Sequence, residues 1–418
     1  LEFVKIYQNV PANDLPNISN EIQRQINSIN IDPLTYKNKR IGITVGSRGI
    51  YSIDEIIRSV VNTLKEFGAY PIIIPAMGSH GGAKEEGQKE VLKSLGIEEE
   101  YIGAPIHYNV NAQFIGNTHK GFPVYVNSEA FKMDGIIVVN RIKSHTDFTG
   151  EIESGLCKMM TIGLGSHKGA ATAHYYALEN GYTEIICDSA KVIMEKLPII
   201  FGIGIVENWK GHIMKVKAIH VKEIIEEEKK LLKLYIDNSV KLPFDNLEML
   251  IIGEMGKNYS GSGMDTNVIG RTKISGQNEP VKPRIDQIVV LDISEASHGN
   301  ATGIGLADFT TKKVFNKIDI EKTMINGITS MAPEQVRIPC VAASDKEAIK
   351  VALRMLGPTK SKDPQIAYIE NTSQLQELYV STNMMNKLKG NIEIISSPLT
   401  IQYNENGSMA GFIKNEVR

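Results

Sequence analysis

The chain has 418 residues but a single tryptophan and three cysteines, Cys157, Cys187 and Cys340, with no CxxC pair among them. So few and so scattered thiols exclude a disulfide framework and a zinc ribbon, and they fit a reducing compartment. No apolar run approaches the length of a membrane span. The first residues, Leu1-Glu2-Phe3-Val4-Lys5, carry no signal-peptide pattern, so a soluble cytoplasmic protein is expected. Charge of one sign is also lacking. The formal net charge is -2, which gives no electrostatic reason to expect nucleic acid or an anionic membrane as partner. There is no low-complexity segment and no strong internal repeat. What is present is ordinary for a globular protein. Hydrophobic residues make up 42% and charged residues 22%, enough apolar material for a large core in two or three domains.

Short apolar runs alternate with turns and amphipathic stretches. Arg40–Val45 reads as a strand that breaks at Gly46-Ser47-Arg48-Gly49, and Ser52 with Glu55 has the form of a capping box for a helix to about Phe67. Tyr70–Pro75 is a strand, Gly78–Gly82 a loop, and Lys84–Leu95 a helix. Gly135–Val139 is a buried strand that leads into Asn140. Val221–Asp237 is a charged helix, read as a solvated face. Val240–Asp245 looks like a boundary. A second series of strands follows at Met249–Ile252, Gln287–Leu291 and Ile366–Tyr368. A helix capped by Ser344 and Glu347 lies between the last two, another helix is expected over Ser373–Leu388, and Ile392–Ile395 and Thr400–Tyr403 read as strands with a hairpin turn at Asn404–Gly407. The fold class expected is α/β: two α/β domains, 1–243 and 244–418, with mostly parallel sheets, the active site in the cleft between them, and a last segment able to pack back on the first domain.

Ligands in open α/β sheets bind outside the carboxyl ends of the strands. Three loops of the first half sit there and carry Arg48, His80 and the pair His145 and Asp147. An arginine fork suits a carboxylate, and two histidines on different loops suit proton transfer on opposite faces of one carbon. Taken singly, a loop histidine more often bonds locally and Arg48 could be a surface ion pair; the set is stronger than its members. The segment from Asn140 through Gly155-Leu156-Cys157-Lys158 to His174 mixes histidine, glycine and an isolated lysine, as a site for a metal or an attached cofactor would. Gly163–Gly169 has the spacing GxGxxxG, a weak dinucleotide signal, although backbone N–H groups there could cradle a phosphate. In the second half, the glycine-rich loops Gly256–Asn267 and Ser297–Gly305, with Arg271 and Lys273, favour handling of a small anion.

These motifs resemble the lactate racemase superfamily, whose enzymes use a nickel-pincer nucleotide. The resemblance covers most of the chain and is strongest over Pro75–Gly87, Asn140–His174, Gly253–Arg271 and Ser297–Asp308. It implies that Lys158 holds the cofactor (pyridinium-3-thioamide-5-thiocarboxylic acid mononucleotide with Ni) covalently. It further implies that His174 completes the nickel coordination, that His80 and His145 are the acid/base pair, and that Arg48 and Lys273 bind substrate. Lys158 belongs to the metal site through the cofactor it carries. The family's activity implies inversion at C2 of a 2-hydroxy acid, with cofactor-biosynthesis enzymes as partners. Three departures mark a divergent branch. Gly-Ser-Arg replaces the usual Asp-x-x-Arg, the His145–Lys158 segment is longer, and Gly270 stands where a substrate-binding glutamine is expected. Two alternatives stay open on the sequence: a nicotinamide-dependent 2-hydroxyacid dehydrogenase using Gly163–Gly169, and a non-catalytic homologue that binds a metal or small acid.

Overall fold

Alternating apolar strands and amphipathic helices give two α/β units. The computed structural model describes residues 1–29, 32–275 and 277–414. One unit comprises Ala12–Ser239; the other comprises Leu1–Pro11 with Val240–Arg418. The boundary therefore falls at Ser239, where Pro243 was expected, and the first residues go with the C-terminal half. The reason is strand β1 (Phe3–Gln8), which pairs antiparallel with Glu377–Ser381, Phe3 opposite Ser381 and Tyr7 opposite Glu377.

In Ala12–Ser239 the strands are β2 (Arg40–Val45), β3 (Tyr70–Pro75), β4 (Ala112–Asn117), β5 (Pro123–Asn127), β6 (Gly135–Arg141), β7 (Ile199–Glu207) and β8 (Ile213–His220). Five form one sheet in the order β3-β2-β6-β7-β8, parallel except for β8, while β4 and β5 form a separate ribbon. The helices are α1 (Ile18–Ser28), α2 (Ile53–Glu66), α3 (Glu85–Ser94), α4 (Glu99–Ile102), α5 (Leu156–Lys158), α6 (Ser166–Asn180), α7 (Tyr182–Lys196) and α8 (Ile224–Asn238). Successive strand residues point to opposite faces. Ile73, Ile137 and Val139 pack on one side with α1 and α2, and Ile72, Ile74, Ile136 and Val138 on the other with α6, α7 and α8. Burial on both faces explains why these strands are continuously apolar. The start of α2 departs from the expected capping box. Ser52 is left-handed (φ 51) and caps nothing, because Glu55 instead accepts a hydrogen bond from Ser19 Oγ of α1 at 2.9 Å.

The other unit adds β9 (Asn246–Ile252), β10 (Arg284–Val290), β11 (Phe309–Thr311), β12 (Cys340–Ala342), β13 (Ile366–Ile369), β14 (Glu377–Ser381), β15 (Ile392–Ile394), β16 (Leu399–Tyr403) and β17 (Met409–Lys414). Its ten-stranded sheet runs β12-β11-β10-β9-β13-β14-β1-β16-β17, with β15 beside β1. The pairs from β12 to β13 are parallel and the rest antiparallel. The tail hairpin forms as the sequence indicates, and Asn404 Oδ1 accepts the Ser408 N–H at 2.8 Å in its turn. Ser344 caps the helix Asp345–Met355 by accepting the Glu347 N–H. The helix expected over Ser373–Leu388 is instead β14 followed by a 3-10 turn at Thr382–Lys387. Leu378 and Val380 are buried while Glu377 is exposed, a period of two that a strand between β13 and β1 uses. Among the described residues no helix is long and apolar enough to cross a membrane.

Candidate active site

Strand order decides where the site forms. β2 lies between β3 and β6, so the chain moves one way from β2 to β3 and the next strand of the sheet joins on the other side. Loops diverge at such a reversal and leave a crevice at the carboxyl ends. The loop after β2 carries Ser47 and Arg48, that after β3 carries His80, and that after β6 carries His145. The topology thus places three of the sequence-predicted residues on loops of adjacent strands.

His145 is held by its own loop. Its backbone N–H donates to Glu153 Oε2 at 2.6 Å, and Gly150 N–H donates to Oε1 of the same buried carboxylate at 3.1 Å. Its Nδ1 accepts the Asp147 N–H at 3.0 Å. A nitrogen that accepts carries no proton, so the neutral ring bears its hydrogen on Nε2. The imidazole stacks on Phe148 at 4.5 Å, Phe148 stacks on Tyr182 at 4.8 Å, and Tyr182 meets His174 edge-on at 5.6 Å. Lys158 Nζ lies 5.8 Å from the centre of the Phe148 ring. A continuous set of rings therefore connects His145, Lys158 and His174.

Electrostatics follow from this packing. Burial, and then the charge of Lys158 and its neighbours, holds the His145 imidazole well below its usual value. Burial lowers His174 to about 4, with Lys158 adding to the effect. Burial lowers the Lys158 amine to about 8; Asp147 opposes the shift and Arg48 and Lys143 assist it. That ammonium makes no hydrogen bond or ion pair among the described residues. His80 is exposed on its loop, yet partial desolvation, then Arg48 and Lys158, lower it as well. Its Nδ1 is in hydrogen-bond contact with Ser47 Oγ, which ties the first two loops together. At neutral pH the site accordingly presents three uncharged imidazoles, and an amine that deprotonates far more readily than a solvated lysine.

Lys158 ends α5 and continues directly into a π-helix, Met159–Gly163. Such turns recur at functional sites. Gly78 N–H donates to Gly163 O at 3.0 Å, and a Cβ at Gly163 would lie 2.7 Å from Ala76 O. The His80 loop thus rests on the backbone that follows Lys158, and the glycine permits the approach. This also disposes of Gly163–Gly169 as a dinucleotide loop. It follows a helix where that motif needs a strand, and its glycines serve close packing.

The sequence missed several parts of the site. Phe148 and Tyr182 are the rings joining it; burial and Asp147 push the Tyr182 hydroxyl up to about 12. Glu228 is a correction. Its charged run suggests a solvated face, but the residue is 1% exposed, pointing inward from α8 at Gly155–Cys157. Burial raises its carboxyl to about 7; the titratable groups facing it are the thiols of Cys157 and Cys187, both themselves raised by burial. The folded protein therefore binds this proton more tightly than the unfolded chain, and stability falls as pH rises from the ordinary 4.5 through about 7. Glu228→Gln removes the charge and should stabilise the protein at pH 8 by on the order of 2 kcal/mol, with no gain at pH 4. Thermal melts at the two pH values check this.

The remaining predicted residue, Lys273, lies in the other unit. Its Nζ donates to Gly305 O at 2.9 Å and its backbone is left-handed at φ 47. Arg271, expected to help handle an anion, is committed to Asp308 and to the carbonyls of Leu306, Ile285 and Asp286. Gly270 has φ 67, and a Cβ there would lie 1.8 Å from Pro283 O, so this backbone has no room for the glutamine of the family pattern. Gly270→Gln should cost on the order of 3 kcal/mol or more from backbone strain and overpacking, measurable as a lowered urea midpoint.

Among the described residues no group of three or more His, Cys, Asp or Glu side chains could hold a metal by itself. Known proteins match this chain in part of its sequence and in its fold. Residues 4–184 match the family model of the lactate racemase N-terminal domain. The lactate racemase apoprotein from Thermoanaerobacterium thermosaccharolyticum is similar in structure, at 13% identity and a TM-score of 0.53, with 88% of this chain and 94% of that chain covered. A crystal structure of a Thermotoga maritima protein is similar at 16% identity and a TM-score of 0.50, with 76% of this chain and 81% of that chain covered. At these identities the two structures show a shared fold. No curated protein matches the sequence. Residues 4–184 are thus similar to the lactate racemase N-terminal domain, and the chain as a whole shares the fold of the lactate racemase apoprotein.

Proposed function

We propose that the protein is a racemase or epimerase that inverts C2 of a 2-hydroxy acid with a nickel-pincer nucleotide attached to Lys158. The observation that carries this reading is the ring-connected set of His145, Lys158 and His174. The set fits the cofactor on its chemistry. A lysine lowered to about 8, with no hydrogen bond or ion pair at its amine among the described residues, is available for a covalent linkage. A half-buried imidazole lowered to about 4 stays a neutral donor for a metal. One protein imidazole is too few to hold a metal alone, so the remaining donors must come from the cofactor. The chemistry such a group supplies when bound is reversible hydride exchange with C2 of the substrate.

The chain's own residues would do the rest. Arg48 binds the substrate carboxylate as a fork of donors. His145 presents Nε2–H, since Nδ1 is occupied by Asp147 N–H, and so serves as the donor to the C2 oxygen. His80, with Nδ1 against Ser47 Oγ, leaves Nε2 to accept the hydroxyl proton. His145 would hydrogen-bond the C2 oxygen through Nε2–H without giving up that proton, and His80 would return the hydroxyl proton to the same oxygen, so no net proton is lost in a turnover. The phenyl rings of Phe148 and Tyr182 exclude water from this side of the pocket, which strengthens each charge interaction inside. Cofactor-making enzymes are the partners that load the protein in this reading.

Both proton-transfer histidines are lowered, so neither should gain a proton until the pH is below the ordinary histidine value of 6.5. The profile of kcat/KM should stay level from pH 8 to 6.5 and fall only below that. An acid limb centred above 6.5 would contradict the assignment. The function itself is tested by incubating cofactor-loaded protein with a panel of single-enantiomer 2-hydroxy acids and reading inversion by chiral chromatography. Binding without inversion across the panel would favour a non-catalytic homologue.

A further inference from the structure

We infer that Glu228 is a positioning residue: its buried carboxylate, delivered from α8, fixes the turn that aims Lys158 at the Phe148 ring. The inference rests on Lys158 being the attachment residue, but its geometry stands independently of any cofactor. Lys158 belongs to a turn of three residues, Leu156–Lys158, whose N-cap Gly155 has no side chain to satisfy the free backbone N–H groups. The turn runs on into the π-helix Met159–Gly163, so its unsatisfied N–H groups lie at its N-terminal end. Glu228 Oε2 accepts the Cys157 N–H at 2.9 Å. That N–H, on the second residue of the turn, is one that a side-chain cap would ordinarily satisfy. From the other side, Asn140 Nδ2 donates to Gly155 O at 2.7 Å, so the turn is held at its entrance by a strand residue and at its Cys157 N–H by a helix residue.

Two further observations favour a dedicated role over incidental packing. A Cβ at Gly155 would sit 2.0 Å from Glu228 Oε1, so the glycine makes the space that the carboxylate occupies. The Oε1 atom is buried without a hydrogen-bond partner, a costly arrangement in a core that any apolar residue at this position would avoid. The neighbouring acids of α8 behave differently: Glu226 and Glu227 make surface pairs with Lys229, Lys230 and Lys217. Only Glu228 turns inward among the acids of this charged run.

The test uses full-length protein without cofactor. Acetic anhydride is pulsed at pH 9, where the lysine is mostly uncharged, and acetylation of Lys158 is quantified by mass spectrometry beside hydrogen exchange of the peptide spanning 155–163. Glu228→Ala should raise both rates at least about fivefold through local opening. Glu228→Gln retains an acceptor oxygen and should stay within about twofold of the wild type on both. Ile56→Ala, in the core on the opposite face of the sheet, supplies a comparably destabilised control that should leave Lys158 acetylation unchanged. Should Glu228→Ala fail to fold, Gly155→Ala displaces the carboxylate instead and should raise the same two rates. Wild-type behaviour in Glu228→Ala or Gly155→Ala, or equal changes in Glu228→Ala and Ile56→Ala, would overturn the inference. Absence of a cofactor adduct on wild-type Lys158 would instead count against the attachment reading, and would leave these rates as they are.

Discussion

Lys158→Ala should abolish cofactor attachment and turnover together while the protein remains folded. The side chain sits on a helical turn secured by backbone hydrogen bonds to Asn140, Glu228 and Gly78, none of which involves its amine. Its ammonium has no hydrogen-bond or ion-pair partner to leave unsatisfied among the described residues. Removing it deletes a buried cation whose burial is unfavourable, as its value of about 8 records. Stability should therefore hold or rise by a fraction of a kcal/mol to about 1 kcal/mol, the lost stem packing on Phe148 offsetting part of the gain. Activity should fall to background, because the linkage is assigned to this amine. Lys158→Arg preserves the charge but offers no acylable amine and should be equally inactive. The measurements are racemisation rate, nickel content and melting temperature on one preparation of each variant. Residual racemisation in Lys158→Ala above background would remove this residue from its proposed role.

His145→Ala and His80→Ala should each retain nickel yet lose roughly 100- to 10,000-fold in kcat/KM, the range for a positioned acid or base. Attachment and metal binding are assigned to Lys158 and His174, on other elements, and neither loop histidine touches them through a hydrogen bond. For two enantiomers of equal free energy the forward and reverse kcat/KM must match, so either substitution should slow both directions equally. His174→Ala should differ: it should lose nickel with Lys158 still modified. Deuterium at C2 should be retained in the product of every active variant, since the histidines move the hydroxyl proton. Washout of C2 deuterium into water would point instead to direct proton abstraction from carbon by the same two histidines.

Much of this was legible in the residues. The loops after Arg40–Val45, Tyr70–Pro75 and Gly135–Arg141 announce themselves because apolar runs end in Gly/Ser-rich breaks, and strand-end placement singles out Arg48, His80 and His145. The acceptor role of His145 Nδ1 could not be read, since it depends on a turn that brings Asp147 N–H to within 3.0 Å. Tyr182 looked like an ordinary residue at a helix start; only the fold of α6 onto α7 brings its ring between Phe148 and His174. Glu228 was hidden by its neighbours, because a run of like charges carries no period to mark the one that faces inward. The segment Ser373–Leu388 misled because its buried positions are few, and pairing with β1, more than three hundred residues away in sequence, decides its conformation. Arg271 illustrates the converse. A cation beside a glycine-rich loop resembles an anion site, yet its guanidinium is spent on Asp308 and three carbonyls.

The most direct measurement is the mass of the peptide containing Lys158, with nickel assayed on the same sample, after coexpression of the protein with the enzymes that make the pincer nucleotide. The account predicts a covalent mass increase confined to Lys158 and nickel that copurifies with it and is lost in His174→Ala. Protein that inverts a 2-hydroxy acid at an undiminished rate with Lys158 unmodified and nickel absent would contradict it.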